Sequence, residues 1–307
     1  MFICSKIILE NIFSEHFIAC KLFRKYGNLL TLTNAISYFV FYSHKLAVTI
    51  IICIFGLEQV YNMRIHRFYC ERIIEPTTVI TGDEVRHIRS VMRLNPGDSV
   101  ELFDGRGAFA QAVIDDISKK QVTLTVNKLE IYDCSETPKI IIAAAIAKGD
   151  RFDDLIAKCT ELGVDGIVPI VFGRTVKHPR NPKTLSRWDN IAIASAKQCK
   201  RLFLPTIDSP APLEQAVTNL KNQYQNAQIL LGSLDNDCKR LTSVGPGEKD
   251  VIAIIGPEGG FTDSEKNLLK SAAAQPVRLT DTVLRVETAA IAFASILAAC
   301  RYELDIF

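Results

Sequence analysis

Val251-Ile252-Ala253-Ile254-Ile255-Gly256-Pro257-Glu258-Gly259-Gly260-Phe261 decides the fold class of this 307-residue chain. Five consecutive apolar residues read as a short strand buried on both faces, as in a parallel sheet covered by helices. The Gly/Pro run then turns the chain. Thr262 and Glu265 have the spacing of a capping box, so a helix begins there. A strand, a glycine-rich turn and a helix build a ligand loop at the carboxyl edge of an α/β sheet. Proline fixes the approach, and glycines permit positive φ and let a ligand reach the backbone. A purely structural turn satisfies the same pattern. The G-x-G-x-x-G spacing of a dinucleotide loop is absent, and no Gly-Lys-Ser/Thr follows, so the stretch is not a P-loop.

The surrounding sequence alternates between strands and helices. Strands are expected at Ile140–Ala147, Ile167–Phe172, Gln228–Leu234 and Val277–Leu279 in addition to Val251–Ile255. Helices are expected at Arg151–Leu162, Thr184–Arg201, Leu213–Asn222, Thr262–Ala273 and from Glu287 to Arg301. Repeated βα units predict a mostly parallel sheet with helices on both faces. The last strand ends in Leu279-Thr280-Asp281-Thr282-Val283-Leu284-Arg285-Val286-Glu287-Thr288-Ala289-Ala290, a second strand-to-helix loop. Glu287 there suits the positive end of the helix dipole, and Arg285 stands just before the helix, where its side chain can project into a site.

Residues 63–133 read differently, as short strands with turns. Arg64–Tyr69 is one strand. Ser99–Phe103 and Ala108–Ile114 form a hairpin around Asp104-Gly105-Arg106-Gly107, and Gln121–Val126 alternates as a further strand. Thr81-x-x-Glu84 predicts the cap of a short helix to Leu94, stopped by Asn95-Pro96-Gly97-Asp98. Val85, Ile88 and Met92 share one face of it, and Arg86, Arg89 and Arg93 another. A small β-barrel with one embedded helix fits. The arginine stripe reads either as a solvated face or, with Arg64, His66, Arg67 and Arg72 close by, as an RNA-binding surface, because guanidinium forks suit phosphate oxygens. Asp133–Pro138 is a polar linker.

Bulk charge is neutral on this question. The chain carries 36 Lys+Arg against 34 Asp+Glu, and residues 63–307 hold 31 of each sign, so a nucleic-acid interface must rest on local patches. The nine cysteines form no C-x-x-C pair and no metal-ligand spacing, which predicts reduced thiols, a cytoplasmic protein and no metal. Cys199 and Cys238 read as small apolar residues or as reactive thiols.

Residues 1–62 do not match the rest. They are rich in Ile, Phe, Leu and Tyr, and Ala35–Leu57 is nearly all apolar, broken by His44 and Lys45. The uninterrupted part, Leu46–Leu57, is shorter than the roughly 20 residues a spanning helix requires. Three readings stand: translation that starts at Met63, a membrane anchor, or a poorly ordered extension.

G-P-E-G-G-F at 256–261 followed by L-R-V-E-T-A-A at 284–290 is far more specific than either string alone. The pair resembles the RsmE family, the 16S ribosomal RNA uridine-N3 methyltransferases of the SPOUT, or α/β-knot, class. Supporting strings are His66-Arg67-Phe68, His87 with Arg89, and Lys158-Cys159-Thr160-Glu161-Leu162-Gly163-Val164, similar to the family's K-x-x-E-L-G-V segment. The likeness runs from Met63 to about Glu303. Family members begin at a position like Met63, which favours translation from that residue. Two stretches depart from the family: Ala196-Lys197-Gln198-Cys199-Lys200-Arg201 and Leu279-Thr280-Asp281-Thr282.

The resemblance implies a C-terminal trefoil-knot domain over 138–307, a PUA-like RNA-binding barrel over 63–133, and a homodimer acting on the small ribosomal subunit. It implies S-adenosylmethionine held by three loops: Leu231 and Gly232; Ile255, Gly256, Pro257, Glu258, Gly259 and Gly260; and Leu279, Leu284, Arg285, Glu287, Thr288 and Ala289. Methyl transfer from a sulfonium requires an in-line approach and an available lone pair. Uridine N3 carries a proton, so Arg285 is expected to face the charge developing on the uracil, and Glu287 is a candidate base or a helix cap. Lys197, Lys200 and Arg201 are expected to hold RNA from one side and Arg64, His66, Arg67, Arg86, Arg89 and Arg93 from the other; a solvated helix end reads equally well for the first three. The competing functions are an RNA-binding protein of this fold without catalysis, and a nucleotide-dependent α/β enzyme preferring ATP or NAD.

Overall fold

A computed structural model describes residues 65–174, 183–235, 238–244 and 247–304. Residues 1–62 and Arg64 lie outside the described residues.

The chain first builds a five-stranded sheet from β1 (His66–Tyr69), β2 (Thr77–Thr81), β3 (Ser99–Phe103), β4 (Ala108–Ile117) and β5 (Gln121–Ile131), in the order β1-β3-β4-β5-β2. The expected hairpin is present: Ser99 faces Val113, Phe103 faces Phe109, and Asp104 Oδ1 closes the turn by accepting from Arg106 N at 2.7 Å and Ala108 N at 3.0 Å. Phe68, Ile80, Val85, Ile88, Leu102, Ile114 and Leu124 make its buried core, with Met92 packed against them. The predicted apolar helix face therefore points inward. β2 was not legible in the sequence. It is a short run behind Pro76 whose alternating Thr78 and Ile80 are buried.

The predicted Thr81/Glu84 capping box is not formed. Thr81 is the last residue of β2, opposite Gln121, and the chain turns at Gly82, whose φ of 73° glycine accepts without strain. The helix is α1 (Asp83–Arg86), continued by a π-helical segment over His87–Met92 and ended by Arg93 in the left-handed region. Arg86, Arg89 and Arg93 are all exposed, but the wider turn departs from the 3.6-residue period assumed for the stripe.

The second sheet has eight strands in the order β11-β13-β10-β12-β6-β7-β8, with β9 pairing β7. Its elements are β6 (Ile140–Ala145), α2 (Arg151–Glu161), β7 (Gly166–Val171), α3 (Lys183–Cys199), β8 (Thr206–Ile207), β9 (Ala211–Pro212), α4 (Leu213–Gln223), β10 (Gln228–Gly232), β11 (Lys239–Arg240), β12 (Val251–Ile255), α5 (Asp263–Ser271), β13 (Gln275–Arg278) and α6 (Val286–Leu304). Every pairing is parallel, as the sequence predicts. All residues of β6 and β12 are buried, because these central strands are covered on both faces. Parallel pairing puts the carboxyl ends of β13, β10, β12 and β6 side by side along one edge of the sheet.

The two sheets belong to one unit over His66–Phe307. Leu204 N donates to Gly105 O at 2.9 Å, and a Cβ on Gly107 would collide with the Phe203 ring, so the β3–β4 turn is fitted to the segment after α3.

Candidate active site

The loop after β12 is held from within. Gly260 has φ of 71° and donates its N–H to Pro257 O at 2.9 Å. Phe261 folds back over Gly256, where an added Cβ would lie within 3.0 Å of three ring carbons. Gly256 is thus required by a phenyl ring of its own loop, and of the loop's glycines only Gly260 uses positive φ. Phe261 meets Phe172 edge to face at 5.6 Å. The predicted capping box of α5 is formed: Thr262 Oγ1 accepts from Glu265 N at 3.3 Å, and Glu265 Oε2 accepts from Thr262 N at 2.7 Å. Glu265 Oε1 also accepts from Gly173 N at 2.7 Å, and Arg174 Nη1 donates to Gly259 O at 2.7 Å. The loop is therefore moored to the residues after β7. Burial pushes the Glu265 carboxyl up, but the N–H donors of Gly173 and Thr262 and the nearby Arg174 outweigh it and hold the acid below its ordinary range.

The loops after β10 and β13 stand next to it. Gly232 ends β10, where an added methyl would meet Ile255 Cδ1 at 3.5 Å and the Phe293 ring at 3.6 Å. These are ordinary contacts, so crowding by the chain does not demand glycine there. Ser233 N donates to Val277 O at 3.0 Å, and Arg278 Nη2 to Leu234 O at 2.7 Å. Leu231 and Leu279 pack on the core, whereas Thr282 N bonds Thr280 Oγ1 at 2.9 Å to turn the exposed part of the loop. Leu284 is half-buried and Thr288 exposed, and Ala289 N closes the first turn of α6 on Arg285 O at 2.9 Å. The Arg285 side chain is exposed and has no hydrogen bond or ion pair among the described residues. All three predicted loops thus lie along one edge.

Strand order adds a fourth segment that the sequence did not reveal. β6 is the neighbour of β12, and the residue opening the helix after it is Arg151. Arg151 Nη1 lies 3.7 Å from Glu258 Oε1, and its Nε 3.9 Å from Glu287 Oε1. The Glu287 side chain is only 13% exposed, and its Oε2 is buried without a hydrogen-bond partner. An unpaired buried carboxylate oxygen is costly, by about 1–3 kcal/mol, so this atom fits a ligand donor. A cation in the first turn of a helix opposes the dipole by about 0.3–1 kcal/mol, and that unread anomaly is the signal in the sequence that could have pointed to Arg151.

The predicted RNA-binding residues are not all free surface. Arg86, Arg89, Arg93 and Lys200 are exposed, and His66 is half-buried in β1. Arg67 is engaged: its Nε donates to Glu101 Oε2 at 2.9 Å and its Nη1 to Lys200 O at 2.6 Å. Lys197 Nζ donates to Glu84 Oε1 at 2.6 Å and approaches His87 Nδ1 at 3.2 Å. Arg201 is not on a helix end. α3 stops at Cys199, Lys200 takes φ of 62°, and Arg201 N bonds Ala196 O at 3.1 Å in a Schellman-type cap. This turns Arg201 inward, where Nη1 donates to Thr160 O at 3.1 Å. Burial pushes the Cys159 thiol up to about 12, and Cys199 and Cys238 are half-buried free thiols.

Among the described residues no group of three or more His, Cys, Asp or Glu could hold a metal ion, and no helix is long and apolar enough to cross a membrane.

Residues 135–298 match the RNA methyltransferase domain family, and residues 80–127 the RNA methyltransferase PUA domain. Ribosomal RNA small subunit methyltransferase E of Synechocystis is 31% identical over 223 residues, spanning 71% of this chain and 72% of the relative. This chain belongs to the RsmE family. The Bacillus subtilis protein of the same name is 29% identical, over 70% of this chain and 86% of that one. Among solved structures, RsmE of Neisseria gonorrhoeae bound to S-adenosylmethionine has a TM-score of 0.67 and 27% identity, covering 80% of this chain and 98% of that one. A Legionella pneumophila chain in complex with the same cofactor has a TM-score of 0.69 and 31% identity, over 77% and 98%. As in the RsmE family, the α/β part has the SPOUT trefoil-knot fold and is preceded by the small PUA-like β-barrel.

Proposed function

We propose that this chain is a cytoplasmic, homodimeric enzyme that methylates N3 of a uridine in the 16S RNA of the small ribosomal subunit, using S-adenosylmethionine. One observation carries the reading: the loops after β10, β12 and β13 meet at a single sheet edge beside Glu287, whose buried oxygen lacks a partner. Membership of the RsmE family and the S-adenosylmethionine bound in related structures supply the cofactor and the RNA class. Both motifs of the site are intact, which speaks against an RNA-binding protein without catalysis.

S-adenosylmethionine supplies the methyl on a sulfonium, so the uracil N3 lone pair forms the new bond as the carbon–sulfur bond breaks, with no covalent enzyme intermediate. The residues of this chain bind, orient and stabilise. Backbone groups of Gly256–Gly260 and Leu231–Gly232 hold the cofactor, with Ile255, Leu279, Leu284, Thr288 and Ala289 lining it. Arg285, exposed and uncommitted, stabilises the negative charge that develops on the uracil oxygens, and the N3 proton leaves to water. Arg86, Arg89, Arg93 and Lys200 hold phosphates while the target base leaves its stack.

The test is methylation of small subunits and of free 16S RNA with tritiated S-adenosylmethionine, followed by reverse transcription. A methyl on N3 blocks the pairing edge of uracil and stops the polymerase at one uridine. Labelled RNA without such a stop, or no label with active subunits, refutes the assignment.

A further inference from the structure

We propose that Arg151 is a positioning residue that closes the Gly256–Gly260 loop against the first turn of α6 and presents Glu287 Oε2 to a hydrogen-bond donor of the bound cofactor. This rests on the reading of the site as one for S-adenosylmethionine. Three observations lead to it. Arg151 belongs to the β6–α2 connection, outside the three loops the motifs identify, yet its guanidinium approaches carboxylates from two of them, Glu258 at 3.7 Å and Glu287 at 3.9 Å. It opens α2, where a cation opposes the helix dipole, so its place is explained by what it holds. Glu287 uses one oxygen toward Arg151, while the other is buried and unsatisfied.

The geometry divides the labour between the two oxygens. Arg151 faces Oε1 and fixes the rotamer of the carboxylate. Oε2 is then an acceptor of fixed direction. S-adenosylmethionine carries two kinds of donor that a carboxylate binds well, the ribose hydroxyls and the α-ammonium. Either makes Glu287 a cofactor ligand in place of the base for uridine N3.

The experiment is calorimetry of S-adenosylhomocysteine and of 5′-methylthioadenosine, which keeps the ribose and lacks the amino-acid end. Wild type, Arg151→Ala, Arg151→Lys, Glu287→Gln and the Arg151→Ala/Glu287→Gln pair are compared, with melting temperature and steady-state kinetics in parallel. Arg151→Ala should weaken S-adenosylhomocysteine about tenfold, the scale of one charge-assisted hydrogen bond. Lysine should restore part of it, KM for the cofactor should rise more than kcat falls, and the double variant should be no weaker than the weaker single. A loss shared by methylthioadenosine assigns the ribose; a loss confined to S-adenosylhomocysteine assigns the ammonium. Arg151→Ala affinity within twofold of wild type, or losses that simply add, overturns the proposal while leaving the methyltransferase reading intact. Failure of wild type to bind S-adenosylmethionine removes both.

Discussion

The Lys197 ammonium lies 2.6 Å from Glu84 Oε1 and ties the last turn of α3 to α1 of the barrel. Both side chains are 16% exposed, and the ammonium also stands 5.8 Å from the Phe68 ring. A cation that reads as an RNA contact is therefore spent on joining the two sheets. Lys197→Met removes the ammonium from a mostly buried carboxylate, leaving His87 Nδ1 beside it at 3.7 Å, and should lower stability by about 2–4 kcal/mol in urea. Adding Glu84→Gln should recover much of the loss; a double variant as unstable as the single refutes the pairing.

Arg285 has no partner to lose inside the described chain. Arg285→Ala should leave the melting temperature unchanged and S-adenosylmethionine affinity nearly so. Methylation should fall by about 10²–10³-fold, as when one preorganised donor is removed from a developing anion. Activity within a factor of a few of wild type would show that another group stabilises the uracil.

Gly256 lies under the Phe261 ring. Gly256→Ala should push Phe261 off Phe172 and lower stability by about 1–3 kcal/mol, as overpacking does. Cofactor affinity should fall with it, because the loop shifts. A variant with Phe261→Leu in addition should regain part of the stability.

Arg86 and Arg89 are exposed on the barrel helix. If they contact phosphates, Arg86→Ala with Arg89→Ala weakens RNA binding and makes log Kd less steep in log salt by about one unit per contact removed. An unchanged slope with unchanged affinity assigns them to a solvated face.

The Glu265 carboxyl is held below its ordinary range, so the unfolded chain takes up its proton at higher pH than the folded one. The stabilisation is present above the unfolded value of about 4.3 and is lost as pH falls through the lower folded value. Glu265→Gln should therefore be less stable than wild type at neutral pH. At acid pH, below the lowered folded value, the gap should close. Equal gaps at both pH values would mean that the carboxylate's charge is not what stabilises the α5 cap.

Much of the fold was legible because it is local. Val251–Ile255 is a strand in both readings, and Thr262 caps α5 as its spacing requires, since strand burial and caps depend on residues a few positions apart. The barrel helix was legible in its apolar face and not in its start. Glycine's freedom at Gly82 and the pairing of Thr81 with Gln121 outcompeted the capping box.

By itself the sequence determined the α/β class, the paired motifs of the site and the family they belong to, because short strings fix local backbone form and chemistry. Which charges face solvent and which face each other was decided only by the tertiary structure. Lys197, Arg201 and Arg67 are turned inward by partners far along the chain, and Arg151 meets Glu258 and Glu287 only because β6 lies beside β12. Ion pairs act through space, and a parallel sheet orders its strands in a sequence the chain does not follow.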